Sequence, residues 1–398
     1  MGTKFALVKY AVLALALFCL AGCTSINNAA TTGIAYLYIA AQANTTISAY
    51  TVTESTGALT INGNAVGTGS VPSAIAINPS GSALFVANSG SDSISSYSIN
   101  SDATLTPASA TTATGTTPTG LAIDSGGKFL FVANQGSSNI SVFSINGSGL
   151  TAVPGSPFTT IPVGYSFTNG TLPSAVAVSN SGNFLYVANQ LANFVSAFAI
   201  NTTSGALTPL PVPFYQDGQT SPTGLAVTPN GAFLYVANAG ANSNNISAWA
   251  ICDNVLNSCA NPNTPDGTLS PVTGSPFPAG LGPVAIAFDP GFNFAYVVDK
   301  QSSTISQYSY GPGNGVLTPL SPATISTGLN PVSLAILPGV VRADVGNTLY
   351  NTTDYVYVAN IGAGTISIFS LTTSSGLLNV VGQPIVIFGQ TSAVGGKF

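Results

Sequence analysis

A chain of 398 residues that contains no histidine has few ways to move a proton at neutral pH. General-base chemistry then falls to carboxylates, and the sequence spreads only 11 acidic residues along its whole length. Asp299 is the most suggestive of them, because Lys300 follows it directly. A carboxylate beside an ammonium group could activate a water and hold a developing oxyanion, the two needs of ester hydrolysis. The bland alternative is that Asp299 sits at a turn and serves there as asparagine would. A second constellation comprises Tyr165, Phe167, Tyr215 and Asp217, in two long connections that begin at Pro154 and Pro211. Aromatic faces with one acid could stack on sugar rings or on a peptide, or could simply cover a loop. Phe158, Phe214 and Phe277 recur in similar contexts and are read as packing residues.

Metal and redox chemistry is poorly supplied. Zinc, copper and haem sites draw on His or Cys, and calcium needs an acid-rich loop. No cofactor and no metal are expected. Cys252 and Cys259 flank a short polar segment, and in an oxidising compartment they are expected to form a disulfide that pins an insertion. Such a compartment is indicated by the N-terminus. Lys4 and Lys9 precede an apolar run from Tyr10 to Leu20, too short for a comfortable permanent span, and Leu20-Ala21-Gly22-Cys23 follows. That order resembles a lipoprotein export signal. It implies removal of residues 1–22, lipid on Cys23, and a flexible tether over residues 23–33. The protein is therefore expected to be exported and lipid-anchored to the cell envelope, at the outer membrane or cell surface, with no later apolar run long enough to span.

Beyond Cys23 the cations are Lys128, Lys300, Arg342 and Lys397, against all 11 acids. A basic footprint is missing, so nucleic acid is not an expected partner. Charged residues make up 4% of the chain, yet 45% is hydrophobic and regularly patterned, which argues for a packed core with a surface of hydroxyls, amides and backbone. With no histidine and few carboxylates, stability is expected to vary little between mild acidity and neutrality.

The elements that must position these residues come from one repeated unit. Pro72, Pro118, Pro173, Pro222, Pro283 and Pro331 each open a short run such as PSAIAI, followed by a turn, an LFVAN-like segment and an ISVFSI-like segment. The LFVAN-like segments end at Ala41, Asn88, Asn134, Asn189, Asn238, Asp299 and Asn360, giving seven units. Short β-branched and aromatic runs punctuated by Gly and Pro read as strands, and four strands per unit of roughly 45–60 residues match a propeller blade. The fold expected for residues 34–398 is all-β: one seven-bladed β-propeller of four antiparallel strands per blade. Its first blade begins at a second strand, and Thr391-Ser392-Ala393-Val394 echoes Pro72-Ser73-Ala74-Ile75, so the C-terminal strand is expected to close that blade. The recurring asparagines could line the mouth, but a residue shared by most blades more simply ends a strand and bonds its own turn.

The repeat resembles the seven-bladed lactonase family, typified by bacterial 6-phosphogluconolactonase, and its relatives with YVTN-type repeats. The likeness runs from residue 34 to the C-terminus. It implies a catalytic mouth entered through Pro-Arg-His and Asn-Glu sequences. Here the entries read Pro72-Ser73, Pro118-Thr119, Pro173-Ser174, Pro222-Thr223, Pro283-Val284 and Pro331-Val332, and the strand ends include Asn134-Gln135 and Asp299-Lys300. Because the implied acid–base and phosphate groups are missing, the main reading is an envelope-anchored binding or scaffold module, a monomer that takes a carbohydrate or protein ligand on its mouth-side loops. The alternative is a lactonase-like hydrolase of sugar lactones.

Overall fold

The structure, a computed structural model, describes residues 11–14 and 35–387, apart from 163, 257, 260–263, 292, 338–340, 344–348 and 352. Cys23, the tether and the C-terminal segment 391–398 lie outside the described residues. Among those described there is no helix, and none therefore long and apolar enough to cross a membrane.

Seven sheets form a ring of blades. The second blade shows the pattern: Pro72–Ile77, Ala83–Asn88, Ser93–Ile99 and Leu105–Pro107 pair in sequence order, all antiparallel. Period-two alternation divides each inner strand between two neighbours. Ile75 and Ile77 enter the cluster shared with the first blade, while Ala74 and Ala76 enter the cluster shared with the third. The core is therefore a ring of apolar interfaces between blades. The second strands carry most of it: Ala83–Asn88, Phe129–Asn134, Phe184–Asn189, Phe233–Asn238 and Phe294–Asp299 are buried at every position.

Hydrogen bonds repeat the same blade-to-blade logic. Near the middle of the second strands, Tyr186, Tyr235, Tyr296 and Tyr357 send their hydroxyls to backbone carbonyls of Gly267, Gly315, Gly376 and Gly57, in the outer turn of the following blade. The last of these joins the seventh blade to the first. Gly57 has a left-handed backbone (φ 67°), and a Cβ there would lie 2.4 Å from the Tyr355 ring. Only glycine satisfies both demands.

The first blade departs from the others. Its Ala35–Ala41, Thr46–Val52 and Leu59–Gly67 strands are antiparallel, but the inner position is held by Ala11–Ala14, which runs parallel to Ala35–Ala41. The inner edge of the seven buried residues Ala35–Ala41 needs a partner strand to satisfy its backbone, and Ala11–Ala14 supplies one over Ala35–Tyr38. The chain beyond the seventh blade is spaced for the same task. Gly67, Ala113, Pro278 and Ser326 end outer strands five residues before the prolines at 72, 118, 283 and 331, and Val386 stands five residues before Thr391. Ile387 is already buried in the cluster of the first blade.

Two stability outcomes follow from this architecture. Tyr357→Phe leaves the buried Gly57 carbonyl without its donor and should cost about 1–2 kcal/mol, and Gly57→Ala should cost about 2–3 kcal/mol, both read by chemical denaturation. Deleting residues 391–398 should lower the melting temperature of a chain that starts at Cys23 much more than that of the full-length chain, where Ala11–Ala14 still covers the edge. An unchanged melting temperature on deletion from the chain that starts at Cys23 would exclude the C-terminal segment as the closing strand.

Candidate functional site

In each of blades two to seven the inner strand opens with a bulge. Pro72 faces Asn88 and Ala74 faces Ala87, which leaves Ser73 without a partner in the ladder, and the same shift recurs after Pro118, Pro173, Pro222, Pro283 and Pro331. A bulge re-aims one side chain. The residue before each proline is left-handed, as at Val71 (φ 51°) and Asn330 (φ 49°), so every entry turns sharply into its strand. The bulged residues meet those that follow the second strands around one central cavity of about 440 Å³. Its wall includes Ser73, Thr119, Ser174 and Thr223 from the entries and Gln42, Gln135, Gln190 and Lys300 from the strand ends.

The hydroxyls knit the wall together. Ser73, Thr119, Ser174 and Thr223 donate to the carbonyls of Pro118, Pro173, Pro222 and Pro283, each in the next blade, at 2.7–3.2 Å. Gln135 Nε2 donates to Gln190 Oε1 (3.3 Å), and Gln190 Nε2 donates to Ser221 Oγ (3.2 Å). Among the described residues, the cavity wall thus offers fixed amide and hydroxyl groups, one ammonium group at Lys300, and no carboxylate.

Asp299 and Lys300 separate at this point. Lys300 lines the cavity, its backbone N–H bonded to Gly282 O at 2.8 Å. Asp299 is fully buried beneath it. Its Oδ2 accepts from Ser306 Oγ at 2.7 Å and Thr304 Oγ1 at 3.2 Å, whereas its buried Oδ1 has no partner. Asn88, Asn134, Asn189, Asn238 and Asn360 occupy the same place, each donating from Nδ2 to the serine seven or nine residues on. The recurring asparagines are strand-end ties rather than a polar ring facing the mouth. Burial raises the Asp299 carboxyl to about 6, opposed in part by the hydroxyl and backbone donors around it. As a base it would be well tuned, but it does not reach the cavity.

The aromatic constellation does not converge on the mouth either. Tyr165 packs edge-on against Phe214 (5.2 Å between ring centroids) and Phe167 against Phe194 (5.5 Å), forming one loop-covering cluster. Tyr215 is buried against Trp249, and Asp217 accepts from Gln219 N in an exposed turn. Tyr215 and Asp217 border only a gap of about 10 Å³, too small for a ligand. Side-chain packing between the long connections outweighs any shared polar purpose. Cys252 and Cys259 are joined in a disulfide, which removes the thiolates from the Cys252, Cys259 and Asp266 group that is otherwise spaced for a metal ion. The bulged hydroxyls, Gln135, Gln190 and Lys300 stand at the entries and strand ends that the family resemblance places at the mouth, whereas Gln42 escapes it because the first unit's segment ends in Ala41.

A model of the family described as lactonase, 7-bladed β-propeller, matches residues 35–154, 154–255 and 259–386. The chain belongs to this lactonase family. No curated protein matches it in sequence. Solved structures share its fold at low identity. A candidate 6-phosphogluconolactonase from Bacteroides fragilis is 19% identical, covers 93% of this chain and 99% of its own, and superimposes with a TM-score of 0.74. The periplasmic gluconolactonase of Pseudomonas aeruginosa is 18% identical, with coverage of 88% and 95% and a TM-score of 0.69. A candidate 6-phosphogluconolactonase from Bacteroides uniformis is also 18% identical, with a TM-score of 0.69.

The burial of Asp299 sets up a pH dependence of stability in this lactonase-family propeller that its lack of histidine does not suggest. Burial pushes its carboxyl up to about 6, above the ordinary carboxylate range, so between those values the folded protein keeps a proton that the unfolded chain releases. Stability must therefore fall as pH rises through this window, by an amount on the order of 2–3 kcal/mol at neutrality. Asp299→Asn, the residue five other blades already use, should raise the melting temperature at pH 7.5 and lose its advantage near pH 4. Melting curves across pH 4–8 check both the sign and the convergence.

Proposed function

We propose that the protein is an exported lactonase whose central cavity binds an uncharged cyclic ester, with Lys300 as its electrostatic catalyst. The observation that carries this reading is the make-up of the wall, which among the described residues holds neutral donors and acceptors with a single ammonium group. Amides and hydroxyls suit the ring oxygens and hydroxyls of a lactone. The Lys300 ammonium would donate to the ester carbonyl and hold the oxyanion that forms when water attacks. Among the described residues no carboxylate lines the wall to take up the water's proton, so solvent carries it to the ring oxygen as the oxyanion collapses and the ring C–O bond breaks to the open hydroxy acid; catalysis rests on positioning and charge. This suits lactones, which are intrinsically more reactive than open esters.

A phosphorylated lactone fits less well. Its phosphate brings nearly two negative charges, and one lysine cannot both neutralise them and serve the carbonyl. The Pseudomonas aeruginosa relative, described as a periplasmic gluconolactonase, supports both an uncharged substrate and an exported location. The order of Lys4, the apolar run and Cys23 supports an envelope anchor through lipid on that cysteine. A wall without a base also suits a binding module that holds a sugar acid or lactone without turning it over, and the same assay separates the two.

Membrane fractions carrying the processed protein should hydrolyse glucono-δ-lactone above the spontaneous rate and faster than the 6-phosphorylated lactone. Lys300→Ala should reduce the enzymatic rate by about 10²–10³-fold, the usual loss for one oxyanion donor. Cys23→Ala should move the activity out of the membrane fraction. Saturable binding with no turnover would replace the lactonase reading by the binding module.

A further inference from the structure

The cavity wall is not equivalent all the way round: at the bulged entries the difference is confined to two adjacent blades, while at the strand ends Ala239 of the fifth blade is apolar and Gln301 of the sixth is polar. The bulged residue after the entry proline is Ser73, Thr119, Ser174 and Thr223 in blades two to five, but Val284 and Val332 in blades six and seven. The residue two places before the proline follows the same division: Ser70, Thr116, Thr171 and Thr220, then Leu281 and Leu329. Both positions therefore change from hydroxyl to aliphatic together. The strand end of the seventh blade adds Ile361 to the wall.

Val284 and Val332 pack in part against the neighbouring blade clusters, but packing does not account for the two leucines. Leu281 and Leu329 are 53% and 63% exposed, whereas the large apolar residues of the blade interfaces are almost wholly buried. At the bulge, valine gives up the donor with which its counterparts in blades two to five tie the next blade's proline carbonyl. Exposed leucine and a forgone hydrogen bond both weigh against the free protein, and both favour an apolar occupant.

Resting on the lactonase reading above, we infer that the substrate carries an aliphatic substituent that lies along Val284, Val332 and Ile361 and leaves the cavity over Leu281 and Leu329. The polar ring of the lactone faces the amide and hydroxyl arc of blades two to five. Lys300, from the sixth blade, stands where the two halves meet, beside the endocyclic ester whose ring oxygen is bonded to the carbon that carries the chain. This orientation separates the polar from the apolar half of an amphiphilic lactone, and it excludes a ring bearing charge on its chain side.

The test uses the processed protein and a series of δ-lactones, from δ-valerolactone with no side chain to δ-octalactone, δ-decalactone and δ-dodecalactone. The expected kcat/KM rises about two- to fourfold per added methylene until the chain outgrows the rim, as partial to full burial of each CH₂ implies. Leu281→Ser and Leu329→Thr, both at exposed positions, should flatten the ratio of decalactone to valerolactone turnover, with melting temperatures confirming that the variants fold. Binding of δ-lactams with the same side chains, measured by calorimetry, reports on the apolar arc without any chemistry. If lactones are hydrolysed with no dependence on chain length, the inference fails and the lactonase reading stands. If no lactone is hydrolysed but lactam affinity grows with chain length and drops in the leucine variants, the lactonase reading fails and the apolar arc stands. Chain-independent lactam binding with no turnover would overturn both.

Discussion

A blade in this protein cannot satisfy itself. Each presents an apolar face to the blade on either side, and each sends a tyrosine hydroxyl or a bulged serine or threonine hydroxyl to a neighbour's backbone. Such a ring is stable only when it is complete, because one missing interface exposes two faces and several buried polar groups at once. The bond from Tyr357 to Gly57, between residues 300 apart in sequence, is where that closure is made on the outer side. On the inner side the first blade borrows a strand, and the parallel Ala11–Ala14 pairing shows how strongly the open edge demands one.

Closure also explains the cavity. Sheets that pack face to face around an axis bring their inner-strand entries together at one end, whatever side chains those entries carry. The repeated bulge then releases one residue per blade from the ladder, free to vary without cost to the sheet. Function can be written at these positions because the scaffold does not use them for pairing. Blades two to five use them for hydroxyls that stiffen the ring, while blades six and seven give them up to valine.

The asparagine position shows the opposite case. There the scaffold does need the side chain, which ties the strand end to a serine on the third strand. Placing a carboxylate at this point, as at Asp299, keeps the tie but buries an acid with one oxygen unpartnered. The raised proton affinity that results is a consequence of structure, and Lys300 stays on the mouth side while its neighbour faces inward. Adjacent residues on a strand point in opposite directions, so a carboxylate and an ammonium that are neighbours in sequence do not share a site.

The seven units, their four strands, the structural role of the asparagines and the Cys252–Cys259 pairing were all legible in the residues. A repeat asks the same local question seven times, and period-two patterning with Gly and Pro punctuation answers it without long-range information. The mouth positions came from the family resemblance and not from any local pattern. Gln42 and Gln190 lie in different blades, and nothing local marks them as facing one cavity; only the closed ring brings them together. Tyr165, Phe167, Tyr215 and Asp217 had the right chemistry for a ligand, but their rings found one another and the core first. Sequence alone determined the blade, because a blade is held by contacts close along the chain. Tertiary structure decided the site, because its residues become neighbours only through closure of the whole ring.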